Sequence, residues 1–227
     1  MKYGTKIAYT LEDIYVGDIT CLQAAFAKDT YGVGYQEKLT NLSQRNDAIL
    51  SINGDSYNNN QHKDNGTIIR NGCIYRDAAT NMETCVLNWD DTMKIYQPEA
   101  LNIQTLIQTG AYQSWIFGPS LLDENGKAKK DFLTWSYIRE LHPRTAIGYY
   151  EPGHYCFVVV DGRQKDYSRG MFLEELSQLF EQLGCKVAYN LDGGHCFFMT
   201  YTGTVVNYPY KPEHPVPDGI LLTEGIQ

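Results

Sequence analysis

The chain has 227 residues, of which 43% are hydrophobic and 13% aromatic, enough apolar side chain for a sizeable core in one large domain or two small ones. No Pro-, Ser- or charge-rich linker divides it, so one domain is expected. A formal net charge of -8 with no basic run excludes a general nucleic-acid binder, and no stretch approaches the roughly 18 consecutive apolar residues of a membrane span.

Met1 to Thr10 lacks the apolar core of a signal peptide. The cysteines, Cys21, Cys73, Cys85, Cys156, Cys185 and Cys196, are far apart and form no CxxC pair, which disfavours a zinc knuckle. Cys73 and Cys85 are placed to face each other across a hairpin, a pairing that would suit an oxidising compartment. The others read as small buried apolar residues.

In chain order, Lys6 to Val16 alternates as strand, Leu22 to Ala27 reads as a helical turn, and Glu37 to Asn46 carries polar helix formers. Ala48 to Ile52 is a purely apolar run, a buried strand, and it stops at Asn53-Gly54-Asp55. Residues 58–66 form an Asn-rich loop of the kind that often rims a binding site. Thr67 to Asp77 turns at Asn71-Gly72, the dipeptide of a two-residue hairpin. Thr84 to Trp89 and Thr92 to Tyr96 extend a meander, Asn102 to Gln108 reads as a short helix, Ser114 to Phe117 as a strand and Asp123 to Gly126 as a hairpin turn.

Next, Arg144 and Thr145 enter an apolar strand. Tyr155 to Val160 is another, ending in Asp161-Gly162-Arg163. Phe172 to Leu183 carries Leu173, Leu176, Leu179, Phe180 and Leu183 on one helical stripe and stops at Gly184. Val187 to Leu191 is a further buried strand, and it delivers Asp192-Gly193-Gly194 before an apolar run resumes at Cys196 to Met199. Residues 155–191 therefore predict a strand, helix, strand unit, most simply a right-handed parallel crossover. Both strands would then end on one sheet edge, and Asp55, Asp161 and Asp192 would converge on one crevice. Mutually repulsive carboxylates require a cation, which Arg144 and Arg163 are placed to supply. Arginine's planar fork matches two oxygens of an anionic diester. Structural salt bridges at strand ends are the competing reading. Tyr57, Trp115, Trp135 and Tyr149 are candidates to stack on a sugar, although core packing is the commoner fate of such rings.

The stretches SINGDSY from Ser51, RNGCIYR from Arg70, FGPSLLDENG from Phe117, PRTAIGY from Pro143, VVVDGR from Val158, SRGMFLEELSQLFEQLGC from Ser168 and AYNLDGG from Ala188 resemble, in order, the phosphodiester glycosidase family, including its bacterial exopolysaccharide-related branch. The resemblance covers residues 47–223. Residues 1–46 are expected to be N-terminal strands and a helix packed on the same core, giving one α+β domain with a mixed, largely antiparallel twisted β core and a few flanking helices. It implies hydrolysis of a sugar 1-phosphodiester, such as one of N-acetylglucosamine, at the glycosidic carbon. Sugar and a phosphomonoester would be released, from a cell-surface or exopolysaccharide glycan. The implied place is extracellular or at the cell surface, with the export or anchor segment outside these residues.

Carried over by position, the implied site comprises Asn53, Gly54 and Asp55; Arg144 and Thr145; Asp161, Gly162 and Arg163; and Asp192, Gly193 and Gly194. Arg144, supported by Arg163, is expected on the phosphate, and Asp192 and Asp55 at the anomeric centre. No cofactor is expected, although a divalent metal would be compatible with the aspartates.

The chain departs from the family pattern after Gly194, where His195, Cys196 and Phe197 replace a glycine and serines, and at His214, where arginine is common. His195 has three readings: an acid or base, a metal ligand, or a pocket filler. Two alternatives to the hydrolase follow. One is a catalytically impaired member that binds glycans or anions, and the other is a metal-dependent phosphodiesterase.

Overall fold

The computed structural model describes residues 4–59 and 62–224. Its elements in chain order are β1 (Tyr9–Tyr15), β2 (Leu22–Phe26), α1 (Leu39–Arg45), β3 (Leu50–Asn53), β4 (Ile68–Arg70), β5 (Cys73–Arg76), β6 (Thr84–Asn88), β7 (Met93–Tyr96), α2 (Ile103–Gln108) and β8 (Ala111–Trp115). They continue with α3 (Ser136–Arg139), β9 (Arg144–Glu151), β10 (His154–Val160), α4 (Leu173–Leu183), β11 (Val187–Leu191), β12 (Met199–Tyr201), β13 (Thr204–Val205) and β14 (Asp218–Leu222). This is the expected α+β architecture. One sheet runs β1-β10-β9-β11, a second runs β13-β12-β3-β14-β2, and β7-β6-β8 and the β4-β5 hairpin complete the core. Every strand pair in these sheets is antiparallel.

The first sheet is covered on both faces, which explains its unbroken apolar runs. Ile147, Phe157, Val159, Tyr189 and Leu191 face the main core shared with Ile52, Ile220 and Trp115. Ala146, Val158, Val160 and Ala188 face α4 through Leu173, Leu176 and Phe180. The helical stripe read from the sequence is the one that packs. Its burial is worth roughly 1.5–3 kcal/mol for each large side chain, and Gly184, left-handed at φ 80, ends the helix.

Three local expectations are corrected. Leu22 to Ala27 is not a helical turn but β2, with Leu22, Ala24 and Phe26 buried in alternation against β14. Pairing with a strand nearly two hundred residues away overrode a short apolar run that suits either state. The crossover between β10 and β11 does join parallel strands, but they are not neighbours, because β9 lies between them, antiparallel to both. Cys73 is exposed and pairs in register with Arg70, whereas Cys85 is buried opposite Ile95 and Trp115, so the two thiols do not meet. Strand β12 begins only at Met199, and Cys196 to Phe198 belong to the turn before it. In the 58–66 loop, positions 60 and 61 lie outside the described residues.

Candidate active site

Register brings the three motifs of the first sheet to one edge. Val160 pairs with Arg144 and Thr145 with Leu191, so Asp161 and Asp192 both leave the sheet where β9 enters it. The pleat then separates them. Val160 faces α4, so Asp161, one residue on, faces the main core; Leu191 faces the main core, so Asp192 turns to the opposite side. Asp161 is 1% exposed and accepts hydrogen bonds from the Asn207 side chain (2.9 Å), the Tyr208 amide (3.1 Å) and the Tyr167 hydroxyl (3.1 Å).

Asp55 is equally enclosed. Its carboxylate accepts the Ile116 and Phe117 amides (2.7 and 3.0 Å) and faces Arg70 at 3.5 Å. Arg70 also binds Asp218 at 2.6 Å, and a Cβ on Gly54 would lie 2.6 Å from that same Asp218 carboxylate. Neither Asp55 nor Asp161 lines the crevice at the sheet edge. The expected convergence of three catalytic carboxylates reduces to one, because two of them spend their lone pairs on buried backbone amides and side chains.

The crevice itself has a volume of about 350 Å³, and Asp192, Arg144, Arg163, Gly193, Gly194 and His195 all line it. Arg144 is 3% exposed. Its Nε–H donates to the Met171 carbonyl (3.1 Å) and another guanidinium N–H to the Glu140 carbonyl. Burial pushes its pKa down, and no carboxylate pairs with it among the described residues. A buried cation without an anion is costly unless a ligand supplies the charge.

Arg163 lies beside it, half-buried. It donates to the Tyr210 hydroxyl, stands 5.3 Å from the centre of that ring, and approaches His142 Nδ1 at 3.3 Å. The other nitrogen of His142 lies 2.7 Å from the Tyr137 carbonyl, which can only accept. The neutral tautomer with its proton on Nε2 satisfies both contacts. Burial first, then Arg144 and Arg163, hold the His142 pKa below its ordinary value, against the opposing Tyr137 contact.

Asp192 as a residue is half-buried, but its carboxylate is shielded by Ser56 and Cys196. The Ser56 hydroxyl and the Cys196 thiol both donate to it. Burial raises its pKa, while these bonds and the Gly193 amide lower it, the pattern of a carboxylate kept ionisable in a shielded place. Asn53 acts behind it. Its Nδ2 donates to the Asp192 carbonyl (2.7 Å), and its Oδ1 accepts from the Thr145 hydroxyl (2.8 Å) and the Phe198 amide (3.2 Å). Asn53 and Thr145 thus tie the two sheets together under the aspartate.

Of the departures, His195 is exposed at the mouth, its ring 6.0 Å from those of Tyr210 and His214. Phe197 is 1% exposed and stacks on Phe198 and Tyr210 in the core. Among the described residues no three His, Cys, Asp or Glu side chains are grouped as a metal ion would need. Tyr57, Trp115 and Tyr149 are core rings, whereas Phe117 and Tyr137 line the crevice. Sequence reasoning passed over Ser56, His142 and Tyr137. Ser56 lies inside SINGDSY and His142 directly precedes PRTAIGY, so both could have been found there, but nothing in the sequence marks Tyr137.

Comparison with known proteins bears on the family and the fold. The profile of the family described as phosphodiester glycosidase matches residues 46–223. The SPbeta prophage-derived uncharacterized protein YomE of Bacillus subtilis (strain 168) is 30% identical over 181 residues, 78% of this chain, which spans only 28% of that relative. Among solved structures, the catalytic domain of zebrafish N-acetylglucosamine-1-phosphodiester alpha-N-acetylglucosaminidase, auto-inhibited by its pro-peptide, superposes with a TM-score of 0.71 at 17% identity, covering 96% of this chain and 83% of that one. A protein of Burkholderia pseudomallei K96243, thought to be exported, gives 0.71 at 14% identity over 96% and 74%. A hypothetical protein from Synechocystis gives 0.70 at 14% over 95% and 61%. With a family match that runs through β3, β9, β10 and β11 and so takes in every motif of the crevice, this chain belongs to the phosphodiester glycosidase family.

Proposed function

We propose that the protein hydrolyses a sugar 1-phosphodiester at the glycosidic carbon, releasing the sugar and a phosphomonoester. The observation that carries this reading is Arg144, buried without a carboxylate partner on the wall of the crevice that Asp192 also lines. In this mechanism Arg144 and Arg163 hold two non-bridging oxygens of the diester. Asp192, ionised and oriented by Ser56, activates the water that attacks the anomeric carbon. The leaving phosphomonoester is already a weak base, so no second carboxylate is needed as a strong acid.

An N-acetylglucosamine-like sugar is favoured by the name of the zebrafish enzyme, and a cell-surface or exopolysaccharide glycan by the exported character ascribed to the Burkholderia protein. The impaired-member alternative drew on His195, Cys196 and Phe197. None of these blocks Asp192: His195 stands at the mouth, Cys196 donates to the carboxylate, and Phe197 is in the core.

The test is incubation with an N-acetylglucosamine 1-phosphodiester from pH 4 to 9, with and without chelator, following released sugar. Turnover that survives chelation and vanishes in Asp192→Asn is expected. No sugar at any pH would refute the reading for this substrate, and turnover abolished by chelation would favour the metal-dependent phosphodiesterase. With Asp192 as base, the first anomer seen by NMR is inverted; a retained anomer would make Asp192 the nucleophile instead.

A further inference from the structure

Asn190 lines the same crevice and is 1% exposed. Its Nδ2 donates to the Gly118 carbonyl at 2.8 Å. That contact fixes the amide's orientation, because the carbonyl can only accept. The other end, Oδ1, is buried and has no hydrogen-bond partner among the described residues. Buried side-chain acceptors in a folded protein nearly always have one, so this exception calls for an explanation.

The pleat says where Asn190 points. It pairs with Ala146, and Arg144 and Asp192 each lie two residues along their strands from that pair. The three side chains therefore share one face of the sheet at its edge. By the same register Arg144 and Asp192 come opposite each other at the sheet edge, and the amide lies beside that pair, two residues further into the sheet.

We propose that Asn190 Oδ1 accepts a hydrogen bond from a donor, an amide N–H or a hydroxyl, on the sugar carbon next to the anomeric carbon, and so selects the substrate. The inference rests on the hydrolase reading for the placing of the sugar. A ring held with its phosphate on Arg144 and its anomeric carbon at Asp192 brings its second carbon beside Asn190. A substrate with the donor satisfies the orphaned acceptor. One without it leaves the acceptor unpaired, as it is in the free protein, so the two substrates differ by the hydrogen bond gained.

The test pairs a 2-acetamido sugar 1-phosphodiester with its 2-deoxy analogue, on wild type and on Asn190→Ala, with Asn190→Ser as a second variant should the first fold poorly. Wild type is expected to prefer the 2-acetamido substrate in kcat/KM by about 10- to 100-fold, and the variant to lose most of that preference while still turning over both. Equal use of the two substrates by wild type, or an undiminished preference in both variants, overturns the proposal.

Should no diester be hydrolysed, the hydrolase reading fails by itself. The 2-acetamido and 2-deoxy sugar 1-phosphates are then compared by calorimetric binding to the same proteins. A preference lost with Asn190 upholds the inference in a binding protein, and the absence of any preference overturns it.

Discussion

At the scale of single residues, the site is defined by which polar groups have been left unpaired. Asp55 and Asp161 look like catalytic aspartates in sequence, yet each is bonded to amides and side chains that hold loops in place. Arg144 has carbonyls but no anion, and that imbalance is what a phosphate would correct. Arg144→Ala should lower kcat/KM for a sugar 1-phosphodiester by about 10²–10³. It also removes a buried, uncompensated charge, so its thermal midpoint should move by only roughly 2–4 °C, as for about 1 kcal/mol in a protein of this size. Parallel kinetics and melting curves check the contrast, and a loss of activity no greater than the loss of folded protein would remove Arg144 from the site. The acid limb of the same rate profile should fall above the ordinary aspartate range, because burial raises Asp192 and its ionised form is the proposed base.

At the scale of elements, the Asp-Gly-Gly turn does something other than what its glycines suggest. Such glycines read as room for a ligand, but a Cβ on Gly193 would stand 2.6 Å from the Pro143 carbonyl, and Cβ atoms on Gly162 and Gly170 would also press on the His142–Pro143 backbone. The glycines make room for protein: they let the turns after β10 and β11 close around the entry to β9, and so set where Arg144 begins. Gly193→Ala should destabilise the protein by about 1–3 kcal/mol through overpacking and, by shifting Arg144, raise KM more than it lowers kcat. Denaturant titration with steady-state kinetics tests this, and a stable variant with unchanged KM would refute it.

At the scale of the whole molecule, two buried groups that do not line the crevice give stability opposing pH dependences. Burial raises Asp218 to about 7, against the pull of Arg70. A carboxyl held above its unfolded value contributes stability that is present at low pH and lost as pH rises from about 4 to 7. His62 is fully buried with both ring nitrogens unbonded among the described residues, and burial with Arg76 nearby lowers it to about 4. Its stability contribution is present above its unfolded value and lost as pH falls from 6.5 toward 4. The two windows overlap with opposite sign, so these two contributions offset each other between about pH 4.5 and 6.5. Relative to wild type, Asp218→Asn should make stability rise with pH and His62→Phe should make it fall, each by up to about 1.4 kcal/mol per pH unit. Urea titrations across that range decide it, and equal slopes in all three proteins would exclude both groups.

The sequence by itself determined most of the strands and the helix that covers them. Those follow from local pattern: Val187 to Leu191 is a short run bounded by glycine turns, and the stripe on α4 repeats at the helical period. Only the tertiary structure decided which aspartate faces the crevice, because a single step of register turns a side chain to the other face. It also decided that Leu22 to Phe26 is a strand, since only the distant β14 supplies its partner, and that Ser56, His142 and Tyr137 join the site, since they meet it from three separate segments. Finally, it showed Arg144 without a carboxylate and Asn190 with an idle carbonyl. Whether a buried polar group has a partner is a property of its neighbours in space, and those neighbours lie far from it along the chain.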